Sequence, residues 1–119
     1  MHLLEEMLYI KKIIKKGRGV FSSVPIKKGE LIEKSPSLLI PEKDKFSLEN
    51  TFLGNYIYAD DQDNYYLGLG HCSLYNHSSN PNARFVVTKH YIKIIAIKDI
   101  SEDEEISIDY GWESKDLDF

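Results

Sequence analysis

Asn76-His77-Ser78-Ser79-Asn80-Pro81-Asn82-Ala83 is the densest polar segment in an otherwise apolar neighbourhood. It follows Leu67, Leu69, Leu74 and Tyr75, so we expect it to lie where the core meets a cleft. Taken alone, an Asn-His-Ser run before Asn-Pro is typical of a turn with local side-chain caps. Its meaning therefore depends on the segments that precede and follow it.

The rest of the sequence predicts many short strands and a single helix. The helix is predicted from a cap at Ser47 through Tyr58; Asn50 makes that cap only partial, and Gly54 weakens the helix. Strands are predicted at Leu8 to Ile14, Val20-Phe21, Leu31-Ile32, Leu38 to Ile40, Tyr65 to Leu69, Arg84 to Thr88, Tyr91 to Ile97 and Ile106 to Tyr110. Turns are predicted at Gly17-Arg18-Gly19, Pro25 to Glu30 with Gly29 at positive φ, Asp60 to Asn64 and Lys89-His90. Together these indicate a mostly β domain.

Length and composition exclude several classes of protein. The chain has 119 residues, which suits one domain, and 42% of them are apolar, which suffices for a core. No unbroken apolar run is longer than Ile94 to Ile97, so no membrane span is predicted. Two acids among Met1 to Glu6 argue against a signal peptide, and we expect a cytoplasmic protein. Cys72 is the only cysteine, which excludes an internal disulfide.

The charges are distributed unevenly along the chain. The net charge is −4, divided into +4 over residues 1–98 and −8 over residues 99–119. An acidic tail argues against direct binding to nucleic acid, because phosphate would be repelled there. It would suit a cationic substrate if it borders the active site, and a solvated surface that aids solubility explains it equally well.

Three segments acquire a specific meaning from their order. Gly17-Arg18-Gly19-Val20-Phe21 comes first, the Asn76 to Asn82 segment second, and Glu104-Glu105-Ile106-Ser107-Ile108-Asp109-Tyr110-Gly111 third. The ordered triple, from about Leu8 to Trp112, resembles the SET-domain protein-lysine methyltransferases. The segment Leu67 to Tyr75 is similar to that of their short bacterial and viral members without zinc-binding flanks. The resemblance implies one domain over residues 1–119, with residues 113–119 as an acidic tail. The implied fold has several small sheets, one short helix and a pseudoknot in which the C-terminal segment threads through an earlier loop.

The resemblance also implies S-adenosylmethionine as cofactor, S-adenosylhomocysteine as product, and no metal. The Asn76 side chain and the His77 backbone would hold the amino group and the adenine of the cofactor. Gly17 and Gly19 would allow the backbone to approach the cofactor closely. Asn76 would also tie strand ends in place, and the Arg18 side chain is better explained as solvated. Trp112 would cover the adenine or pack on a neighbouring subunit. The implied cofactor-binding residues are Gly17, Arg18, Gly19, Tyr75, Asn76, His77, Tyr110 and Trp112.

By the same resemblance, Tyr110 is the catalytic residue, whose hydroxyl orients the methyl group for in-line attack by a neutral lysine amine. No dedicated base is evident, so solvent or a water channel would take the lysine proton. The substrate channel would contain Tyr56, Tyr58, Phe85 and Ile108, with Tyr56 as a second catalytic candidate whose alternative is a place in the helix core. Because neither Phe85 nor Ile108 has a hydroxyl, we expect di- or trimethylation.

Other interpretations remain beside this one. His71, Cys72 and His77 are too few for a metal site and match no ligand spacing. A SET-fold module that binds lysine-containing peptides without turnover is the alternative function. The substrate lysine is expected to have basic flanks. For a viral or eukaryotic source, we expect a histone tail as substrate and a place in the host nucleus. For a bacterial source, we expect a ribosomal or other cytosolic protein as substrate. The strand Tyr91 to Ile97 is mostly apolar on both faces, so it is either covered on both sides within the domain or lies at the subunit contact of a homodimer. Asp103, where the family has Gly, suggests a different turn.

Overall fold

The computed structural model describes residues 4–15 and 17–110, and most of their regular structure is β. The strands are β1 (Leu8–Ile13), β2 (Gly17–Ser22), β3 (Leu31–Leu39), β4 (Ile57–Ala59), β5 (Tyr65–Gly68), β6 (Asn76–His77), β7 (Ala83–Val87), β8 (Tyr91–Ala96) and β9 (Glu105–Ile108). Within the described part, α1 (Lys45–Glu49) is the single α-helix, and 3₁₀ segments cover Leu4–Met7, Glu42–Asp44, Phe52–Tyr56 and His71–Ser73. The prediction of a mostly β fold with one short helix is confirmed.

The strands form two sheets. The first has the order β1-β2-β9-β6, and the second has the order β4-β5-β3-β8-β7. All neighbours are antiparallel except β6 and β9, which run parallel with Asn76 opposite Ser107 and His77 opposite Ile108. Strand β9 therefore lies between β2, from the first half of the chain, and β6, from the second half. The threading expected of a pseudoknot stays a prediction.

The core lies between the inward faces of these strands. In β8, Ile92, Ile94 and Ala96 are buried, while Tyr91 on the other face is 40% exposed. The hairpin of β7 and β8 confirms the strand pattern predicted from residues 84–97. Because β8 lies inside its sheet, between β3 and β7, only its outward face is available to a second subunit. The homodimer thus stays a prediction.

The single helix predicted from Ser47 to Tyr58 is wrong in its extent. Ser47 lies inside α1, the chain then forms the 3₁₀ segment Phe52–Tyr56, and Tyr58 belongs to β4. Gly54 explains the break, because the chain folds back onto the end of α1. A Cβ atom at Gly54 would lie 2.9 Å from the Glu49 carbonyl oxygen, so a larger residue would not fit there.

Two other boundaries differ from the prediction. The segment Gly17-Arg18-Gly19 is the start of β2, and the turn lies before it, with Lys15 at φ 73°. Residues 31–39 form one continuous strand through Pro36 instead of two short ones. Proline lacks only the N–H group, and the Pro36 carbonyl still accepts a hydrogen bond from the Leu69 amide at 2.9 Å.

Asp103 does not force a different turn. Its φ of 61° is the left-handed conformation that glycine adopts most readily. Its carboxylate accepts a hydrogen bond from the Tyr9 hydroxyl at 2.6 Å, which raises the pKa of Tyr9, and its amide donates to the Ser22 carbonyl. Asp103 therefore occupies a glycine-like position and is held there by β1 and β2. In the described part of the chain, no helix is long and apolar enough to cross a membrane.

Candidate active site

The side chain of Asn76 joins three strands at one point. Its amide nitrogen donates to the Arg18 carbonyl of β2 at 2.8 Å and to the Glu105 carboxylate of β9 at 2.6 Å. Asn76 itself lies in β6, so one short side chain fixes the relative positions of three segments that are distant in sequence. The structure thus confirms the prediction that Asn76 ties strand ends in place.

Gly19 makes this junction possible. A Cβ atom there would lie 2.5 Å from Ile13 Cδ1, 2.7 Å from Glu105 Oε2 and 3.3 Å from Asn76 Nδ2. The first two distances are shorter than real contacts, so any larger residue would displace the Ile13 side chain and the carboxylate partner of Asn76. Gly17 has a different role: its φ is +86°, and its backbone is exposed with open space around it. Gly17 therefore forms an accessible backbone edge beside the junction, whereas Gly19 is buried within it.

His77 connects this junction to Tyr110. The His77 Nδ1 atom accepts a hydrogen bond from the Tyr110 backbone N–H at 2.9 Å, so the ring proton resides on Nε2. The two rings lie 5.2 Å apart between centroids. Tyr110 follows the end of β9, and the imidazole fixes the direction in which the chain leaves that strand. The sequence had assigned only the His77 backbone, so the role of its ring was missed.

The Tyr110 hydroxyl points back towards the chain that precedes Asn76. It donates to the carbonyl oxygen of Tyr75. Burial, followed by the proximity of Tyr56 and Glu105, raises the pKa of Tyr110 to about 12. The hydroxyl is therefore a neutral hydrogen-bond donor at physiological pH. Tyr75 contributes its carbonyl here, since its own side chain is buried in the core.

Tyr110 also forms part of the wall of a narrow cavity of about 110 Å³. Three predicted channel residues, Tyr56, Tyr58 and Phe85, lie on the same wall, whereas Ile108 is fully buried in the core and does not line it. The Tyr58 hydroxyl donates to the Cys72 carbonyl, and burial raises its pKa well above the usual range. The lining residues are Asn55, Tyr56, Ile57, Tyr58, Ala59, Cys72, Ser73, Phe85 and Tyr110.

Several site residues were not foreseen from the sequence. Asn55, Ile57 and Ala59 line the cavity because the chain turns from a 3₁₀ segment into β4, and a single predicted helix hid this turn. Cys72 is buried, yet it also lines the cavity. Trp112 lies outside the described residues. Within residues 4–15 and 17–110, no group of three or more His, Cys, Asp or Glu side chains is arranged to hold a metal.

The polar junction at Asn76 and the narrow cavity therefore meet at Tyr110. The sequence profile of the SET domain matches residues 17–111, which include both the glycine edge and Tyr110. The chain belongs to the SET-domain family. The first sheet of this SET domain positions the site, because its parallel β6–β9 pair brings Asn76 and His77 beside the chain that leads to Tyr110.

Proteins similar to this SET domain have named activities. A histone-lysine N-methyltransferase of Schizosaccharomyces pombe, specific for H3 lysine-37, is 32% identical over 113 residues, covering 92% of this chain and 76% of that protein. An N-lysine methyltransferase of Danio rerio is 29% identical over 132 residues, and this chain spans only 37% of its length. The structure of a proposed histone methyltransferase from Plasmodium falciparum is 34% identical with a TM-score of 0.73, covering 92% of this chain and 96% of that one.

Proposed function

We propose that this SET domain transfers methyl groups from S-adenosylmethionine to the side-chain amine of a protein lysine. Its family and its relatives make it a protein-lysine N-methyltransferase; the cofactor and the number of methyl groups are the parts proposed here. One observation carries the proposal: the Tyr110 hydroxyl lies where the polar junction at Asn76 and the aromatic cavity meet. Methyl transfer needs such a meeting point, because donor and acceptor must approach in line.

The residues at the junction fit the cofactor. Both hydrogens of the Asn76 amide nitrogen already donate to Arg18 and Glu105. The exposed backbone at Gly17 and the remaining lone pairs of the Arg18 carbonyl, the Asn76 amide oxygen and the Glu105 carboxylate therefore offer closely spaced polar atoms to an amino acid moiety. Gly17, Arg18, Asn76 and His77 would hold the group, and when bound it supplies an electrophilic methyl on a sulfonium. The donors and acceptors are fixed before binding by contacts between strands, so little of the binding energy is spent on ordering them.

The cavity provides the path for the lysine. Its aromatic wall suits the methylene stem, while the amine reaches the hydroxyl end of Tyr110. Because the pKa of Tyr110 is about 12, its hydroxyl keeps its proton and cannot act as the base that accepts a proton from the amine. The lysine proton therefore leaves through solvent, and Tyr110 acts by orienting the reacting groups.

Two further features of the substrate are proposed. Phe85 lines the cavity without a hydroxyl, which leaves no group at that position to hold a water that limits methylation, and this supports di- or trimethylation. A lysine with basic flanks, as in a histone tail, is supported by the −8 charge of residues 99–119. In the described part of that segment, Asp99, Glu102 and Asp103 are all exposed, and Asp99 and Asp103 also accept hydrogen bonds within the fold.

Calorimetry and peptide methylation test the proposal together. We expect S-adenosylmethionine to bind the unmodified protein and binding to be lost in Asn76→Ala, since the Arg18 and Glu105 contacts would be broken. Asn80→Ala is the matched control, because Asn80 lies in the same segment but is exposed and contacts Lys98. Histone-tail peptides incubated with the protein should gain about 14 Da for each methyl group that is transferred. Cofactor and peptide binding without any mass gain would identify a non-catalytic binding module instead.

A further inference from the structure

A buried carboxylate lies behind the active site and belongs to none of the residues assigned so far. Glu33, in β3, is 3% exposed. One of its oxygens accepts hydrogen bonds from the Ser35 hydroxyl at 2.5 Å and the His71 amide at 2.8 Å. The other accepts the Tyr75 hydroxyl at 2.8 Å. A charged group without compensation would be costly in the core, so these three donors explain how the fold tolerates Glu33.

The donors come largely from one short segment, residues 71–75. His71 is bonded through its backbone, Tyr75 through its side chain, and the His71 ring lies 3.9 Å from the same carboxylate. Gly70 allows the segment to come this close, because a Cβ atom there would lie 2.7 Å from Glu33 Oε2 and 2.5 Å from Ser35 Oγ. Glu33 therefore fixes both ends of the segment against β3.

The same segment supplies the acceptors for two of the three cavity tyrosines. Its Cys72 carbonyl accepts the hydroxyl of Tyr58, and its Tyr75 carbonyl accepts the hydroxyl of Tyr110. A shift of the segment would consequently move both hydroxyls at the point where the cavity meets the junction. Fully satisfied buried networks of this kind hold their members in one arrangement.

We propose that Glu33 is a positioning residue for methyl transfer: it sets the two carbonyls that orient the Tyr58 and Tyr110 hydroxyls. This inference rests on the proposed function. Glu33 touches neither the junction at Asn76 nor the lining of the cavity, so its effect passes through the Cys72 and Tyr75 carbonyls. It should therefore influence turnover far more than cofactor affinity.

Three variants of Glu33 and its partner test this. Glu33→Ala removes every acceptor, and we expect kcat to fall about 100-fold, as for a misplacement of reacting groups by about 1 Å. Glu33→Gln keeps an oxygen for His71 and Ser35, and the Tyr75 hydroxyl can accept from its amide, so most of kcat should return. Tyr75→Phe removes a single donor and should give an intermediate loss. In all three, the dissociation constant for S-adenosylmethionine should stay within about twofold of the unmodified protein, a small change on the affinity scale.

Ser22→Ala is the control for a merely structural role. Ser22 is fully buried in β2, and its hydroxyl donates to the Val24 carbonyl, away from the cavity. Each protein is compared well below its melting temperature, with folding checked by circular dichroism. The inference is overturned if Glu33→Ala and Tyr75→Phe lower only the melting temperature, as Ser22→Ala does, and leave kcat unchanged. If Glu33→Ala does not fold, Tyr75→Phe decides.

Hydrogen exchange separates this inference from the proposed function. We expect the amide of His71 to exchange faster in Glu33→Ala and Tyr75→Phe than in the unmodified protein and to stay protected in Glu33→Gln, with the amides of β2 unaffected. This readout needs no turnover. If the unmodified protein methylates no peptide, the proposed function fails, and unchanged exchange at His71 would separately refute the part assigned to Glu33.

Discussion

Replacing Tyr110 with phenylalanine removes one oxygen atom and little else. The ring keeps its contact with His77, and the backbone amide of Tyr110 keeps its hydrogen bond to the His77 ring. What is lost is the hydroxyl that donates to the Tyr75 carbonyl beside the cavity. The variant therefore tests the hydroxyl alone.

The magnitudes of the two possible effects differ enough to be distinguished. Loss of one hydrogen bond of this kind costs about 1 kcal/mol of unfolding free energy, within a total of roughly 5–15 kcal/mol. Almost every molecule would stay folded, so stability alone would leave turnover nearly unchanged. Loss of a group that orients the reacting atoms costs about 100-fold in kcat, or roughly 2.7 kcal/mol of activation free energy.

The assay is single-turnover methylation of a lysine peptide, with cofactor affinity measured separately by calorimetry. We expect Tyr110→Phe to lose about 100-fold in rate with little change in affinity. Tyr66→Phe is the control, because Tyr66 is 5% exposed and its hydroxyl donates to Asp60 at 3.0 Å, away from the cavity lining. Equal, small losses in both variants would refute the role given to Tyr110.

Three further predictions concern the junction, the cavity and the buried hydroxyls. Gly19→Ala should cost about 1–3 kcal/mol of stability and abolish cofactor binding in calorimetry, because its Cβ would lie 2.7 Å from Glu105 Oε2. Phe85→Tyr should shift the product towards monomethyl-lysine in mass spectra, while Phe52→Tyr, on a 73% exposed side chain, should not. The contribution of Tyr110 to the unfolding free energy, followed by urea denaturation, should be constant below pH 10 and decrease as the pH rises towards 12. The reason is that the pKa of Tyr110 is raised from 10.0 to about 12, so the folded state favours the neutral hydroxyl, and Tyr110→Phe should flatten this decrease.

Local patterns in the sequence predicted the elements that local forces determine. The hairpin of β7 and β8 follows from alternation around Lys89-His90, and Gly29 adopts the positive φ of 93° expected for its turn. The prediction of one helix to Tyr58 was wrong because of a contact that hydrophobic periodicity does not reveal. Gly54 packs against the Glu49 carbonyl, so the chain turns back before Tyr58. The apolar spacing of a helix and that of a 3₁₀ segment followed by a strand are too similar to separate over so short a stretch.

Contacts between distant segments could not be predicted from the sequence. Asn76 was assigned through the family resemblance, yet its two partners, Arg18 and Glu105, lie 58 and 29 residues away. Glu33 gave no signal at all, because its partner Tyr75 lies 42 residues further along the chain. Side-chain chemistry limits which partners are acceptable, but only the folded backbone selects one of them.

The place of β9 in the first sheet has a consequence for how the protein matures. Val20 of β2 pairs with Ile106 of β9, which brings Glu105 beside Gly19. The ribosome therefore makes one side of this contact early and the other side late. Until β9 inserts between β2 and β6, the Asn76 amide lacks its Glu105 partner and the Tyr110 amide lacks the His77 ring. Pairings of such long sequence separation form slowly. A nascent chain would therefore acquire its catalytic competence in one late step, and partly assembled molecules would carry no methylating activity in the cell.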